Sequence, residues 1–365
     1  MKFRLSRSDL AALIGRVQNV ISAKPTLPVL ANILVEAMDD QILISATDLT
    51  VSMRVYFDAT VDEEGAIALP ARRFFQLIRE MTSHDIDIEC GAAEIAHIHA
   101  GTSHFKLNGM HKSEYPTLPD MDEGANLNLP SEQLKELLTK TSFACARDDS
   151  RHVLNGLLMV IEGNCLTFIG TDGKRLAKIH ADLKEPIDLE RRMIIPLKGI
   201  EEMIKILDAD EKAQLSILHD RVALNVGSCS VITKLISGEY PDVNRVIPEE
   251  SQMKKISVSR DELMTLLRQV SLFTTDEINS VRFLFSSGSL QLFAASGEIG
   301  EGKVSMPVTY SGDELEIAFN PHILLNLLKH LSDETFEFGL IDSYNPGLIK
   351  DSSNALFVVM PMRLP

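Results

Sequence analysis

The segment KFRLSRSDLAALIGRV, residues 2–17, reads as a short alternating strand followed by an amphipathic helix, and it returns twice along the chain. The second copy is LNLPSEQLKELLTKT at residues 127–141, and the third is KISVSRDELMTLLRQV at residues 255–270. Their apolar helix positions superimpose: Leu10, Leu13, Ile14 and Val17 match Leu134, Leu137, Leu138 and Thr141, then Leu263, Leu266, Leu267 and Val270. That i, i+3, i+4, i+7 spacing is the stripe of a helix packed on one face. Ser6 with Asp9, and Ser259 with Glu262, stand where an N-cap and its partner belong.

Working outward, a second strand–helix unit lies inside each copy: AIALPARRFFQLIREM from Ala66, MIIPLKGIEEMIKIL from Met193 and EIAFNPHILLNLLKHL from Glu316. Its stripe is Phe74, Leu77, Ile78 and Met81, then Ile200, Met203, Ile204 and Leu207, then Leu324, Leu327, Leu328 and Leu331. Pro70, Pro196 and Pro321 mark the helix starts, where a missing N–H costs little. Between the helices, paired β-rich runs flank Asp39-Asp40, Gly163-Asn164 and Ser287-Gly288, which reads as three hairpins. Glu114-Tyr115-Pro116 and Glu239-Tyr240-Pro241 close the first two copies. The expected fold is α+β: three repeated domains, 1–124, 125–252 and 253–365, each with two helices packed on antiparallel sheets.

Composition bounds the function. The 365 residues carry 45% apolar and 24% charged side chains, an ordinary globular balance, with 36 Lys and Arg against 52 Asp and Glu for a net charge of −16. That acid excess excludes tight electrostatic coating of DNA. With no Trp and 5% aromatics, an aromatic platform for single strands is also disfavoured. No apolar run reaches the ~20 residues of a membrane span, and MKFRLSRSDLAALIGRV is no signal peptide, so a cytoplasmic location is expected. Cys90, Cys145, Cys165 and Cys229 are far apart, form no C-x-x-C pair and read as reduced thiols.

Cations recur on the helices at matching places: Arg79, Lys205 and Lys329 on the second helices, Arg16, Lys140 and Arg268 on the first. They form either a solvated face with i,i+4 partners, since Glu80, Glu136, Glu201 and Glu202 are interspersed, or a cationic surface with the acid exported to strands and loops. Signals for chemistry are weak. The segment from Gly170 to Arg175 fails the phosphate-loop pattern, with Phe168 where Gly is needed and Arg175 where Ser or Thr is needed, so Asp172-Gly173 reads as a turn. His97 and His99 share a strand face with His104 nearby, but nothing completes a metal signature, and neither a metal nor a cofactor is expected. Two functions stay open on these residues: a scaffold that needs all three copies, and an enzyme of unknown class built on the Thr171-to-Arg175 loop or the His97/His99 pair.

Taken with the repeat, KPTLPVLANILVE from Lys24, TDGKRLA from Thr171, GEYPDVNRVIP from Gly238 and FVVMPMRLP from Phe357 closely resemble the bacterial sliding-clamp family, the β subunits of replicative DNA polymerase III. The resemblance runs in order over essentially the whole chain. It implies a non-catalytic processivity factor: a head-to-tail homodimeric ring, helices inside and sheets outside, encircling double-stranded DNA without sequence preference. The implied partners are the DNA polymerase III catalytic subunit, the clamp-loader complex, and other polymerases and repair proteins that dock through linear motifs; no membrane is implied. The implied partner-peptide pocket comprises Leu154, Thr171, Gly173, Lys174, Arg175, Leu176, Pro241, Arg245, Val246, Asn320, Ile323, Val358, Met360, Pro361, Met362, Arg363 and Leu364. Lys24, Arg72, Arg73, Arg151 and Lys198 are implied to face DNA, and Phe105, Leu107, Leu272 and Phe273 to form the dimer interface. The chain departs from the family at Asp148, Asp149, His152 and Val153, where some relatives carry polar and aromatic residues that touch DNA, and at Pro365, one residue beyond the familiar ending.

Overall fold

Each of the three quoted strand–helix segments folds as read. In the computed structural model the helices are α1 (Arg7–Val17), α2 (Ala71–Glu80), α3 (Ser131–Ser142), α4 (Leu197–Ile206), α5 (Arg260–Ser271) and α6 (Pro321–Leu328). The structure describes all residues except 23, 92, 120–123, 184–188, 209–210, 276–278 and 364–365. Leu10, Leu13, Ile14 and Val17 of α1 are buried, as are Leu134, Leu137, Leu138 and Thr141 of α3. On α5 the buried face is rotated: Met264 is buried and Leu266 only half-buried. Leu77 and Ile204 are likewise half-buried within otherwise buried stripes.

The two capping expectations part company. Ser6 Oγ accepts the Asp9 amide at 3.1 Å and donates to Asp9 Oδ2 at 2.6 Å, which satisfies an N-terminal orphan donor of α1. Ser259 makes no side-chain capping bond to α5. Here Arg260 Nε turns to Asp261 and Arg260 Nη1 to the Leu331 carbonyl, so side chains around the first turn tie down the segment instead. Pro321 occupies a first-turn position of α6, whereas Pro70 sits one residue earlier, at the N-cap of α2.

The three hairpins form with two-residue connections: Asn32–Met38 with Gln41–Thr47, Gly156–Glu162 with Cys165–Thr171, and Val281–Ser286 with Ser289–Ser296. The chain divides into two compact units, residues 1–134 with 198–235 and residues 135–197 with 236–365. Every strand pairing is antiparallel among the described residues.

The first unit holds an eight-stranded sheet in the order Ala125–Pro130, Lys212–Ile217, Arg221–Val226, Cys229–Lys234, Val51–Asp58, Gln41–Thr47, Asn32–Met38, Gly65–Pro70. Half of it comes from the first copy and half from the second, joined where Cys229–Lys234 pairs with Val51–Asp58. A five-stranded sheet of the first copy alone ends in the edge strand Ser103–Asn108. Helices α1 and α2 pack together in this unit, with Gly15 under the Phe75 ring.

The second unit repeats the plan. Its eight-stranded sheet runs Arg191–Pro196, Gly156–Glu162, Cys165–Thr171, Arg175–Asp182, Ala355–Val359, Gly347–Lys350, Thr335–Leu340, Lys254–Ser259, and the join is Arg175–Asp182 with Ala355–Val359. A four-stranded sheet of the third copy ends in the edge strand Gly300–Pro307. Under it α5 packs on α6, and Phe283, Phe285, Phe319 and Phe338 form a fully buried aromatic cluster, with Phe283 edge-on to Phe319 at 5.3 Å.

The helix cations do not form one uniform surface. Lys140 is buried, pairs with Glu136 at 2.9 Å and donates to Ser332 Oγ at 2.7 Å. Arg16 donates to Cys229 Sγ, and Lys205 pairs with Glu202 at 2.7 Å. Lys140 is thus withdrawn from any shared cationic surface, and the pairs Lys140–Glu136 and Lys205–Glu202 follow the reading in which the helix cations have acidic partners along their own helices. The four cysteines are free thiols. Burial pushes Cys90 up to about 11 and Cys145 up to about 12, which keeps both protonated at neutral pH.

Candidate functional site

The join in the second unit carries a cavity of about 140 Å³ lined by Arg151, Leu154, Thr171, Gly173, Arg175, Leu176, Pro241, Asp242, Val243, Val246, Val358 and Met360. Its floor is apolar because Leu154, Leu176, Val243 and Val358 belong to one buried cluster with Leu158, Ile169 and Tyr240. Its mouth is apolar as well, since Val246 and Met360 stay more than a third exposed. An exposed Met beside an apolar floor suits varied apolar guests, because its unbranched side chain re-packs at low cost.

One wall is a turn closed by its own side chains. Thr171 Oγ1 donates to the Arg175 carbonyl at 2.6 Å and accepts the Gly173 amide at 3.1 Å. Asp172 Oδ1 accepts the amides of Lys174 and Arg175 at 2.9 and 3.0 Å. Gly173 takes φ +84, which only glycine adopts without strain, and an added Cβ would meet Arg151 Nη2 at 3.2 Å. The Lys174 carbonyl then accepts the Met360 amide at 2.9 Å, which fixes the last strand against the turn.

Two arginines border the cavity, both held. Arg175 Nε bonds Asp172 Oδ2 at 3.0 Å, while its guanidinium lies 5.3 Å from the Phe143 ring centre. Phe143 stacks in turn on His330 at 4.0 Å. Burial, then the nearby charges of Arg175, Lys329 and Lys140, lower His330 to about 4. Arg151 forms a fork on Asp149, Nε to Oδ1 at 3.0 Å and Nη2 to Oδ2 at 2.9 Å. That fork holds the Asp149 carboxyl down at about 2. Asn155 clasps the Asp149 backbone from both sides, donating to its carbonyl at 2.9 Å and accepting its amide at 2.8 Å.

Other residues named from sequence lie elsewhere. Lys174 and Arg245 point to solvent beside the cavity, Arg245 paired with Asp242 at 3.0 Å. Asn320 caps α6, accepting the amides of His322 and Ile323 at 2.9 and 3.2 Å, and Ile323 is half-buried on that helix. After Met360 the tail turns away: Pro361 is half-buried, Met362 donates its amide to the Ala318 carbonyl at 2.7 Å, and Arg363 is exposed. Leu364 lies outside the described residues. Asp242 and Val243 complete the wall without having been singled out; the GEYPDVNRVIP motif that supplied Pro241 and Val246 contains them.

Among the residues expected to face DNA, Lys24, Arg72 and Arg73 are exposed. Arg151 is found in the cavity wall, and Lys198 donates to Asp48 Oδ2 at 2.5 Å and to the Val20 carbonyl at 2.6 Å. Phe105 and Leu107 lie on the edge strand Ser103–Asn108 of the first unit, Phe105 36% exposed. In the second unit Leu272 is 73% exposed and Phe273 packs over Gly302 of the edge strand Gly300–Pro307, where a Cβ would stand 2.4 Å from the ring. His97 and His99 stack on His104 at 5.4 and 4.4 Å, and no group of three or more potential metal-ligating side chains occurs among the described residues.

An apolar cleft with held arginines, on a scaffold of three like domains, suits a protein that docks partners, and comparison with known proteins places that scaffold in the DNA-clamp class. Three family models match in order: the N-terminal, central and C-terminal domains of the DNA polymerase III beta subunit, at residues 1–119, 128–242 and 244–363. The chain is 47% identical over 364 residues to the beta sliding clamp of Chlamydia pneumoniae, covering 100% of this chain and 99% of that one. It is 32% identical to the beta sliding clamp of Escherichia coli K12, with both chains covered in full. The solved Pseudomonas aeruginosa DNA polymerase sliding clamp superposes over the whole of both chains with a TM-score of 0.94 at 29% identity. The Bartonella birtlesii clamp bound to griselimycin does so with 0.95 at 29%. The chain belongs to the DNA polymerase III beta subunit family, and it has the three-domain clamp fold and the function of a DNA sliding clamp. That family acts as a non-catalytic processivity factor, so the enzyme reading is set aside.

Proposed function

We propose that two chains close head to tail into a ring around double-stranded DNA, and that the cavity beside Met360 tethers partners to it. The observation that carries ring closure is the strand order. Cys229–Lys234 of the second copy joins Val51–Asp58 of the first, and Ala355–Val359 of the third joins Arg175–Asp182 of the second. The strands in the corresponding places for a third join are Ser103–Asn108 and Gly300–Pro307, and each is an unpaired sheet edge. An unpaired edge of this length is a template for another chain. Pairing Ser103–Asn108 of one chain with Gly300–Pro307 of a second continues the pattern, and two such heterologous joins close a dimer. Phe105 and Leu107 lie on the first of those edges, and Phe273, next to Leu272, packs against Gly302 of the second. Domain limits near residues 124 and 252 go with this reading, as does a cytoplasmic location beside chromosomal DNA.

The partner reading rests on the cavity's chemistry. Two buried Leu- or Phe-type anchors from a linear motif supply roughly 3–6 kcal/mol. A few hydrogen bonds to the turn add about 1 kcal/mol each, and ordering the peptide subtracts from the sum. The result is affinity near the micromolar level, about −8 kcal/mol, which suits exchange among the polymerase III catalytic subunit, the clamp loader, and other polymerases and repair proteins. Light scattering tests closure: the expected species is a dimer of the 40.5 kDa chain, and Phe105→Asp is expected to give the monomer with its fold intact by circular dichroism. A wild-type monomer at micromolar concentration contradicts the ring.

A further inference from the structure

The first unit contains the counterpart of the cavity just described, with different chemistry. Loop 47–51 repeats loop 171–175 bond for bond. Thr47 Oγ1 accepts the Leu49 amide at 3.0 Å, and Asp48 Oδ1 accepts the amides of Thr50 and Val51 at 2.9 and 2.7 Å. The Lys234 amide donates to the Thr50 carbonyl at 2.9 Å, as the Met360 amide does to Lys174. Leu49 even keeps the left-handed φ, +76, although it is not glycine. A branched side chain held there is strained, and the surrounding bonds impose the shape.

Beside this loop lies a cavity of about 140 Å³. Where the second unit places Leu176 and Met360, the first places Ser52 and Lys234, and Lys234 stands directly across the antiparallel ladder from Arg221, which also lines the cavity. Like charges directly opposed on one sheet face repel each other. Lys234 has no ion pair among the described residues, and Arg221 has only Asp220 at 3.5 Å. Thr50 and Thr117 add hydroxyls, whereas Thr47 Oγ1 donates to the Val51 carbonyl at 3.1 Å and stands 2.8 Å from Ser52 Oγ, and no carboxylate is among the described residues that line the cavity. The nearest acid on the loop, Asp48, is already neutralised by Lys198 at 2.5 Å.

We propose that this cavity is a second ligand site, which takes a phosphate group between Lys234 and Arg221 with the Thr50 and Thr117 hydroxyls donating to its oxygens. Two opposed cations relieve their repulsion by sharing one multivalent anion, and charge-assisted bonds to phosphate are the strong kind. The site is distinct from the apolar cavity: the shape of the loop is kept while the guest changes from an apolar side chain to an oxyanion.

The test titrates inorganic phosphate into the full chain at fixed ionic strength, reading the backbone amide resonances of Leu49, Thr50 and Lys234. Wild type is expected to show a saturable shift there and none at Gly173 or Met360. Lys234→Met and Arg221→Gln are each expected to weaken it about tenfold, the loss of one charge-assisted bond, with folding checked by circular dichroism. A parallel arm with a nucleoside 5′-monophosphate assigns the source: tighter binding at the same residues identifies a nucleotide phosphate, and equal binding identifies the free ion. Equal shifts from chloride at matched ionic strength, or shifts that both variants leave unchanged, overturn the proposal.

Discussion

Gly173 shows how much one backbone angle governs. Its φ of +84 closes the turn whose Lys174 carbonyl receives the Met360 amide, and its missing Cβ leaves room for Arg151. Gly173→Ala is expected to cost about 1 kcal/mol in thermal unfolding, and to weaken binding of a Leu/Phe-containing partner peptide because the cavity wall shifts. His330 makes a second prediction. The unfolded side chain titrates near ~6.5, while the folded one is lowered to about 4. Between those values the unfolded state binds more protons, so this contribution is complete above about pH 6.5 and is lost as pH falls toward 4. His330 is only half-buried, so screening limits the loss to about 1–2 kcal/mol. Melting curves of His330→Gln are expected to lack that part of the acid slope. At this scale the TDGKRLA turn was legible from Asp-Gly and local polar side chains. The place of Arg151 in the cavity wall was not, because it depends on the guanidinium lying against Gly173 of the turn rather than on its local fork with Asp149.

Among the elements, local features read best. The helix stripes and two-residue hairpins follow from periodicity and turn residues, both short-range signals. Departures arise where tertiary context chooses: Met264 takes burial from Leu266 on α5, and Lys140 sinks onto Glu136 and Ser332. The sheets illustrate the limit most clearly. Each eight-stranded sheet crosses between copies, and no periodicity within Arg175–Asp182 announces that Ala355–Val359 is its neighbour. That neighbour supplies Val358 and Met360 to the cavity. Deleting residues 360–365 is therefore expected to abolish partner-peptide binding in a fluorescence-anisotropy titration, while Val358 and the sheet persist in circular dichroism. Retained binding would place the partner site elsewhere.

For the molecule as a whole, the net charge of −16 and the clamp function are reconciled by topology. A protein held on DNA by closure needs little phosphate affinity, and strong affinity would impede sliding. Equilibrium binding of the assembled clamp to short linear duplex is accordingly expected to be weak and to fall further with salt. Retention by closure depends instead on the two joins between chains and on DNA that has no end. The most direct measurement loads the clamp onto closed circular DNA, then compares its loss from intact circles with its loss after a single linearising cut, at high salt. The ring predicts persistence on the circle and rapid loss from the linear form. Equal rates of loss from both would contradict it.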